Sequence, residues 1–404
     1  MEKKIIMQRY SKEEQIYNVT RFNPTIKPVL RMIHIADIHF SVSGIDPIEH
    51  YNIISEQFLN KVEHTLFDIL AIDGDIFDHR CMGNNISLQF AILFFDRCLN
   101  RCRQIGATMI VIDGTESHDD HQIINLFGHY LSDRTVDLRI VTKVKFEYIK
   151  GAKVLCIPEM YGMGKEYYDK FLFNSGRYDL CFMHGMFKGA VYQEGMNDLD
   201  SKKAPTFNID DFRNCLGPII SGHVHVPGCY KRYFYYTGSP IRFRHGEEQD
   251  KGFLVVLYDM NNCHHYTHFE KIKSFRFDTI YFDEIIKKDL NSIYQYIQQL
   301  KNSGIYNLRI KFSRVLENNE LDILTILKNY YRRDRYISFV YDGNKAKEQE
   351  KINEEINNKY QTYSFLFDNE LNPNYKFVQY VNHEEKEEFI TLEEFQKILD
   401  GDEF

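Results

Sequence analysis

Five short segments of this sequence carry a histidine or an aspartate at the end of an apolar run. They are ADIHF with Asp37 and His39, DGDIFD with Asp75, SHDD with His118, FMHG with His184, and SGHVHVP with His223 and His225. In D-x-H or H-x-H spacing along an extended chain, both side chains point the same way. Two such clips facing each other, with Asp75 between them, build a mixed oxygen–nitrogen cage for two divalent cations. Imidazole with carboxylate favours Mn, Fe or Zn over Ca or Mg. Two cations about 3.5–4 Å apart activate water and clamp a phosphoryl group for in-line attack. No Ser or Cys nucleophile with a partnered base stands out. No GxxxxGK[ST] sequence is present, which excludes ATP hydrolysis on a P-loop.

The elements that must hold these residues are legible from their pattern. VLRMIHIA (29–36) is a buried strand running into Asp37. In DPIEHYNIISEQFLNKVEH, Asp46 caps a helix, Pro47 takes its first position and Glu49 completes a capping box. FDILAI ends at Asp73–Asp75, a second helix covers about 86–104, and ATMIVI follows. Strand, helix, strand, helix, strand predicts an α/β layered domain. Further strands are predicted at 153–157, 180–183, 218–220, 233–236 and 253–258. Helices are scarce among them, which predicts a second sheet packed on the first. Ligands of such sheets bind outside the carboxyl ends of strands, where the Asp and His residues lie.

The pattern resembles the calcineurin-like metallophosphoesterase superfamily, whose motifs are D-x-H, G-D-x-x-D, G-N-H-[DE], H and G-H-x-H. Here they read Asp37-Ile38-His39, Gly74-Asp75-Ile76-Phe77-Asp78, Gly114 to Asp119, His184 and Gly222-His223-Val224-His225. A further segment, YYTGSPIRFRHGEEQDKGFLVV (235–256), is similar to the region after the last metal ligands in SbcD-type double-strand-break-repair nucleases. The resemblance covers roughly 31–258. It implies a two-sheet sandwich flanked by helices, followed by a small α+β capping domain.

The resemblance also implies two divalent cations, Mn2+ foremost with Mg2+ as the alternative. One would be held by Asp37, His39, Asp75 and His225, the other by Asp75, His184 and His223. His118 would be the general acid, a task that suits imidazole. The implied partners are DNA, an SMC-like ATPase of the SbcC type, and a second copy of the chain. That copy would dock through helices near 86–104 and 122–131. One motif departs from the family. In place of Gly-Asn-His-Asp the chain has Gly114-Thr115-Glu116-Ser117-His118-Asp119, so the Asn ligand of the second cation is missing. Ser117 occupies its place in the motif, with Glu116 or a backbone carbonyl as substitutes. Two rival readings remain: a phosphatase of the same superfamily, and a scaffold subunit with a weakened site. A phosphatase of that kind places an Arg soon after its G-N-H-E motif, whereas the first one downstream here is Arg134.

The bulk properties set the frame. The 404 residues carry 50 basic and 58 acidic side chains, net −8, so no overall basic charge announces nucleic acid. Basic residues gather at Arg97, Arg101 and Arg103, at Arg242 and Arg244, and at Arg332, Arg333 and Arg335. Each cluster reads either as a phosphate-contacting surface or as a solvated face. Arg242 and Arg244 are the candidate DNA contacts. The eight Cys form no CxxC pair, which predicts reduced thiols and a cytoplasmic setting. No apolar run reaches about 18 residues, so no membrane span is expected. The divergent GTESHD segment and an N-terminal extension over 1–28 suggest a phage or mobile-element source. The domain expectation is therefore 1–28 as extension, 29–270 as the metallophosphoesterase domain, 271–343 as cap, and 344–404 as charged linker and partner-binding helix.

Overall fold

A computed structural model of the chain describes residues 29–188, 204–231, 233–312, 314, 316–341, 372–385 and 390–400. The chain divides into two compact units between Phe277 and Asp278. The expected boundary at 270 falls inside a long hairpin strand that runs to Ile272. The expected extension over 1–28 and most of the charged linker lie outside the described residues.

The first unit contains β1 (Val29–Ile35), β2 (Ile69–Asp73), β3 (Thr108–Ile112), β4 (Asp137–Val141), β5 (Lys145–Ile149), β6 (Ala152–Ile157), β7 (Leu180–His184), β8 (Met186–Phe187), β9 (Thr206–Phe207), β10 (Ile219–Gly222), β11 (Gly228–Tyr230), β12 (Phe234–Tyr236), β13 (Lys251–Asp259) and β14 (His264–Ile272). They form two six-stranded sheets, ordered β14-β13-β1-β2-β3-β4 and β11-β12-β10-β7-β6-β5. In the first sheet β1 to β4 run parallel and β13 and β14 pair antiparallel. In the second, β6, β7, β10 and β12 are parallel. β8 and β9 make a separate two-stranded ribbon.

Strands such as ILAID, TMIVI and LCFMH are short apolar runs buried along their whole length. That pattern belongs to parallel strands covered on both faces. Met32, Ala71, Ile110 and Ile112 of one sheet share a buried cluster with Val154, Cys156, Phe182 and Ile220 of the other. Each fully buried large side chain there contributes roughly 1.5–3 kcal/mol. A second cluster, with Tyr168, Phe187, Phe212 and Phe234, covers the other face of the second sheet.

The helices begin where the sequence says they should. Asp46 accepts from the backbone N–H of Ile48 and Glu49 at 2.9 and 3.2 Å, starting Pro47–Ile53, which continues through a π-helical turn to His64. Asn85 caps Ile86–Ile105, and Gly106 ends it at φ +65°, a left-handed conformation that costs glycine little. This helix is buried on one side only. Leu88, Phe94, Phe95 and Leu99 are buried, while Ile86, Ile92 and Leu93 stay 46%, 36% and 44% exposed.

The second unit has β15 (Phe277–Tyr281), β16 (Asn307–Phe312) and β17 (Ile337–Tyr341) in one sheet. Helices Leu290–Asn302 and Asn318–Tyr331 pack on a core of Ile293, Ile297, Leu308, Ile310 and Leu327. Helices Pro373–Glu385 and Leu392–Asp400 follow. Thr391 and Glu394 form a reciprocal capping box at the start of the last one.

Candidate metal centre

Six parallel strands end at one place. β1 delivers Asp37 and His39, β2 Asp75, β3 Thr115 and His118, β6 Glu159, β7 His184, and β10 His223 and His225. The loops after β1 and β2 are zipped together: Asp37 N donates to Gly74 O at 3.1 Å, His39 N to Asp75 O at 3.0 Å and Phe40 N to Ile76 O at 2.8 Å. Asp37, His39, Asp75 and His223 adopt φ of +52°, +52°, +53° and +90°. Left-handed backbone at non-glycine residues is costly, on the order of 1–3 kcal/mol each, and gathers at functional sites. Four such residues around one point mark a site the fold holds under strain.

Four overlapping trios have donor atoms within 4.8 Å of one another: Asp37/His39/His225, His39/Asp75/His118, Asp37/Asp75/His184 and Glu159/His184/His223. On the first side, His39 Nε2 faces His225 Nε2 at 3.0 Å, and Asp75 Oδ2 lies 3.7 Å from His39 Nε2. With their protons on Nδ1, the two Nε2 atoms would both present lone pairs to one cation. Asp37 accepts from His223 N through both oxygens, at 2.9 and 3.2 Å, which fixes the carboxylate. Burial pushes the Asp37 carboxyl up and holds His39 well below its usual value, so His39 is the neutral, ligating form.

On the second side, His184 Nδ1 meets the Asp73 carbonyl at 2.8 Å, which turns Nε2 inward, 3.4 Å from Asp75 Oδ2 and 3.9 Å from Glu159 Oε2. Burial disfavours charge on His184, but Asp75 and Asp37 outweigh it and lift the group well above its ordinary value. Burial likewise works to raise Asp75, and His184 and His118 overcome it, holding the carboxyl well below the usual range. Asp75 thus touches both sides of the cluster. Three buried carboxylates, Asp37, Asp75 and Glu159, converge with four imidazoles, a donor set that fits divalent cations of the Mn, Fe or Zn type.

His118 hangs at the mouth. Its Nδ1 lies 2.8 Å from Asp75 Oδ2, and its side chain remains 34% exposed. Burial tends to lower it, but the Asp75 hydrogen bond and charge raise it overall. A protonated, half-exposed imidazole beside the cluster can hand a proton outward.

Several positioning residues escaped sequence reasoning. His34 and Asp73, both fully buried, pair at 2.8 Å and brace the Asp73 carbonyl that orients His184. Asp119 accepts from the backbone N–H of Gly114, Asp75 and Phe77 at 2.9, 3.0 and 3.0 Å. Lys251, buried, donates to His225 O at 3.0 Å, Ser239 Oγ at 2.7 Å and Glu247 Oε2 at 2.9 Å. Glu247 Oε1 lies 3.9 Å from His225 Nδ1. The segment that resembled SbcD-type nucleases is thus the brace of the His225 loop.

The candidate residues at the periphery are placed differently from expectation. Ser117 lies exposed, its Oγ 3.5 Å from Tyr161 Oη, while Thr115 Oγ1 sits inside the cluster. The guanidinium of Arg242 is directed at the carbonyls of Phe275, Glu248 and Gln249, at 3.3, 3.0 and 3.3 Å, so it ties down its own loop. Arg244 is 59% exposed and pairs with Glu247 at 3.4 Å. Arg97 is likewise engaged, with Glu63 at 2.7 Å. Among the described residues no helix is long and apolar enough to cross a membrane.

No family model matches the chain. It is 23% identical over 235 residues to a protein of Invertebrate iridescent virus 6 named "Putative phosphoesterase 244L". The match covers 57% of this chain and 76% of the viral protein. With the buried His/Asp cluster, this distant likeness makes the chain phosphoesterase-like, with the means to hold divalent metal.

Proposed function

We propose that this chain is the nuclease subunit of a DNA end-processing complex, a phosphodiester hydrolase working with two divalent cations, Mn2+ foremost and Mg2+ as the alternative. One observation carries the reading: eight His and carboxylate side chains meet at six strand ends in four overlapping trios, with Asp75 touching both sides. Divalent cations held there supply Lewis-acid polarisation of a phosphoryl oxygen and activation of water. Asp37, His39 and His225 hold one side, and His184 and His223 the other. His118 protonates the leaving sugar oxygen, with Asp75 fixing its Nδ1 so that Nε2 is free to face substrate. The 235–256 segment, similar to SbcD-type nucleases, supports DNA over a phosphomonoester.

The partners belong to the same proposal. Exposed Ile86, Ile92, Leu93 and Leu131 support a homodimer through the helices at 86–105 and 122–132. Exposed Phe377, Tyr380, Leu392, Ile398 and Leu399 on the two last helices support docking on an SMC-like ATPase. The viral source of the relative supports a phage or mobile-element protein acting on DNA in the cytoplasm. The test is Mn2+-dependent degradation of end-labelled linear double-stranded DNA. Wild type should degrade it, and His118→Ala should be at least about 100-fold slower with Mn2+ binding retained. A wild type inactive with and without the ATPase would overturn the nuclease reading and leave the scaffold one.

A further inference from the structure

We propose that Glu159 is a ligand of the second cation, supplying the oxygen that the motif after β3 lacks, with the Thr115 hydroxyl beside it. The inference rests on the two-cation reading above and assigns its weaker half.

The geometry is specific. Glu159 stands two residues past the end of β6, on the sheet that also delivers His184 and His223. Its carboxylate is only 4% exposed, with Oε2 2.8 Å from His223 Nδ1 and 3.9 Å from His184 Nε2. Those are the donors of one compact trio. Thr115 Oγ1 lies at the centre of the same group, 3.3 Å from Asp75 Oδ2, 3.4 Å from Glu159 Oε2, 3.3 Å from His184 Nε2 and 3.5 Å from His223 Nδ1. Donor atoms from five strand ends are therefore gathered in one small polar region. A buried carboxylate is stable only where positive charge answers it. Beside Glu159 stand the imidazoles of His223 and His184, at 2.8 and 3.9 Å, which serve a cation in their neutral form.

The substitution has chemical consequences. A carboxylate in place of a neutral amide adds one negative charge to the seat. It makes that oxygen donor anionic and harder, which suits Mn and Mg better than softer ions. Glu159 also lines a cavity of about 240 Å³ with Asp113, Glu116, Asp119 and Asp120, and with His121 and Lys143.

The test measures metal directly, on the full chain stripped with EDTA and titrated with MnCl2 by calorimetry, with Mn2+ EPR counting bound ions. Wild type should bind two Mn2+. Glu159→Ala should lose the second or weaken it more than about tenfold, with the first unchanged. Glu159→Gln, which restores an amide oxygen, should fall between them. Thermal unfolding separates ligand from structural prop: in EDTA, Glu159→Gln should be at least as stable as wild type, because a buried negative charge is gone, while its stabilisation by Mn2+ should be smaller. Two sites of unchanged affinity in Glu159→Ala would overturn the inference, as would a Glu159→Gln protein equally destabilised with and without metal. A wild type binding fewer than two ions would overturn both readings. One that binds two ions, weakened by Glu159→Ala, yet leaves DNA intact, would sink only the nuclease.

Discussion

Asp119 gathers three backbone N–H groups from two loops, and its replacement by Asn is a sharp test of how the site is held. Oδ2 accepts from Gly114 and Asp75, and Oδ1 from Phe77. Asn has a single acceptor oxygen. If that oxygen serves Gly114 and Asp75, its NH2 meets the Phe77 N–H, donor against donor. A buried donor left unpaired costs about 1–3 kcal/mol. Burial and the Asp75 charge push the Asp119 carboxyl up to about 8. A value raised above the ordinary 3.8 means the fold favours the protonated carboxyl, whose hydroxyl oxygen still accepts from Phe77 where the Asn amide cannot, and that stability is lost as pH rises through about 8. The difference between wild type and Asp119→Asn should therefore be larger at pH 6 and narrow by pH 9. Hydrogen exchange of the metal-stripped protein reads it locally. At pH 6 the Phe77 amide should exchange roughly 5- to 150-fold faster in the variant, the ratio that 1–3 kcal/mol of lost protection gives. An unchanged Phe77 amide at pH 6, or a ratio as large at pH 9, would refute the reasoning.

Two further substitutions probe the supports on either side. A Cβ on Gly222 would sit 2.2 Å from Asp73 O and 2.8 Å from His184 Nδ1. Gly222→Ala should lower stability by about 1–3 kcal/mol and weaken Mn2+ binding, read by thermal unfolding and calorimetry; a neutral result would show that the two strand ends are not tightly apposed. Glu247 is held at about 2, with burial working upward and His225 and Lys251 overcoming it. Its ordinary value is 4.5, so this carboxylate stabilises the fold fully above 4.5 and the contribution is lost as pH falls from 4.5 toward 2. The shift alone corresponds to about 3 kcal/mol, an upper bound, because burial lowers its partner Lys251. In urea unfolding, wild type should exceed Glu247→Gln by about 1–3 kcal/mol at pH 6 and by much less at pH 3. A gap independent of pH would refute the pairing.

The sequence showed the Asp and His positions because each follows an apolar run that can only be a buried strand. Those runs predicted the parallel strands and the carboxyl-end site together. It hid the short edge strands β4 and β11 and the polar hairpin strand β14, whose side chains alternate between solvent and core and carry no long apolar run. The site itself was misjudged at one corner, for a reason that can be stated physically. Motif spacing placed Ser117 where an Asn was missing, as though the segment after Gly114 were extended. It is instead a helical turn, Glu116–Asp119, begun at Thr115. On a helix the residues at i, i+3 and i+4 share a face. Thr115, His118 and Asp119 therefore turn inward while Glu116 and Ser117 face solvent. The turn that removes Ser117 brings in Thr115, a shorter donor, and so leaves the corner short of a charged oxygen. Glu159 reaches that corner from β6, and it obeys the same rule as every other candidate: an ionisable residue just past an apolar strand, here KVLCIPE. Strand ends, rather than motif spacing, were the dependable signal, because the sheet fixes where a strand ends while a loop is free to coil.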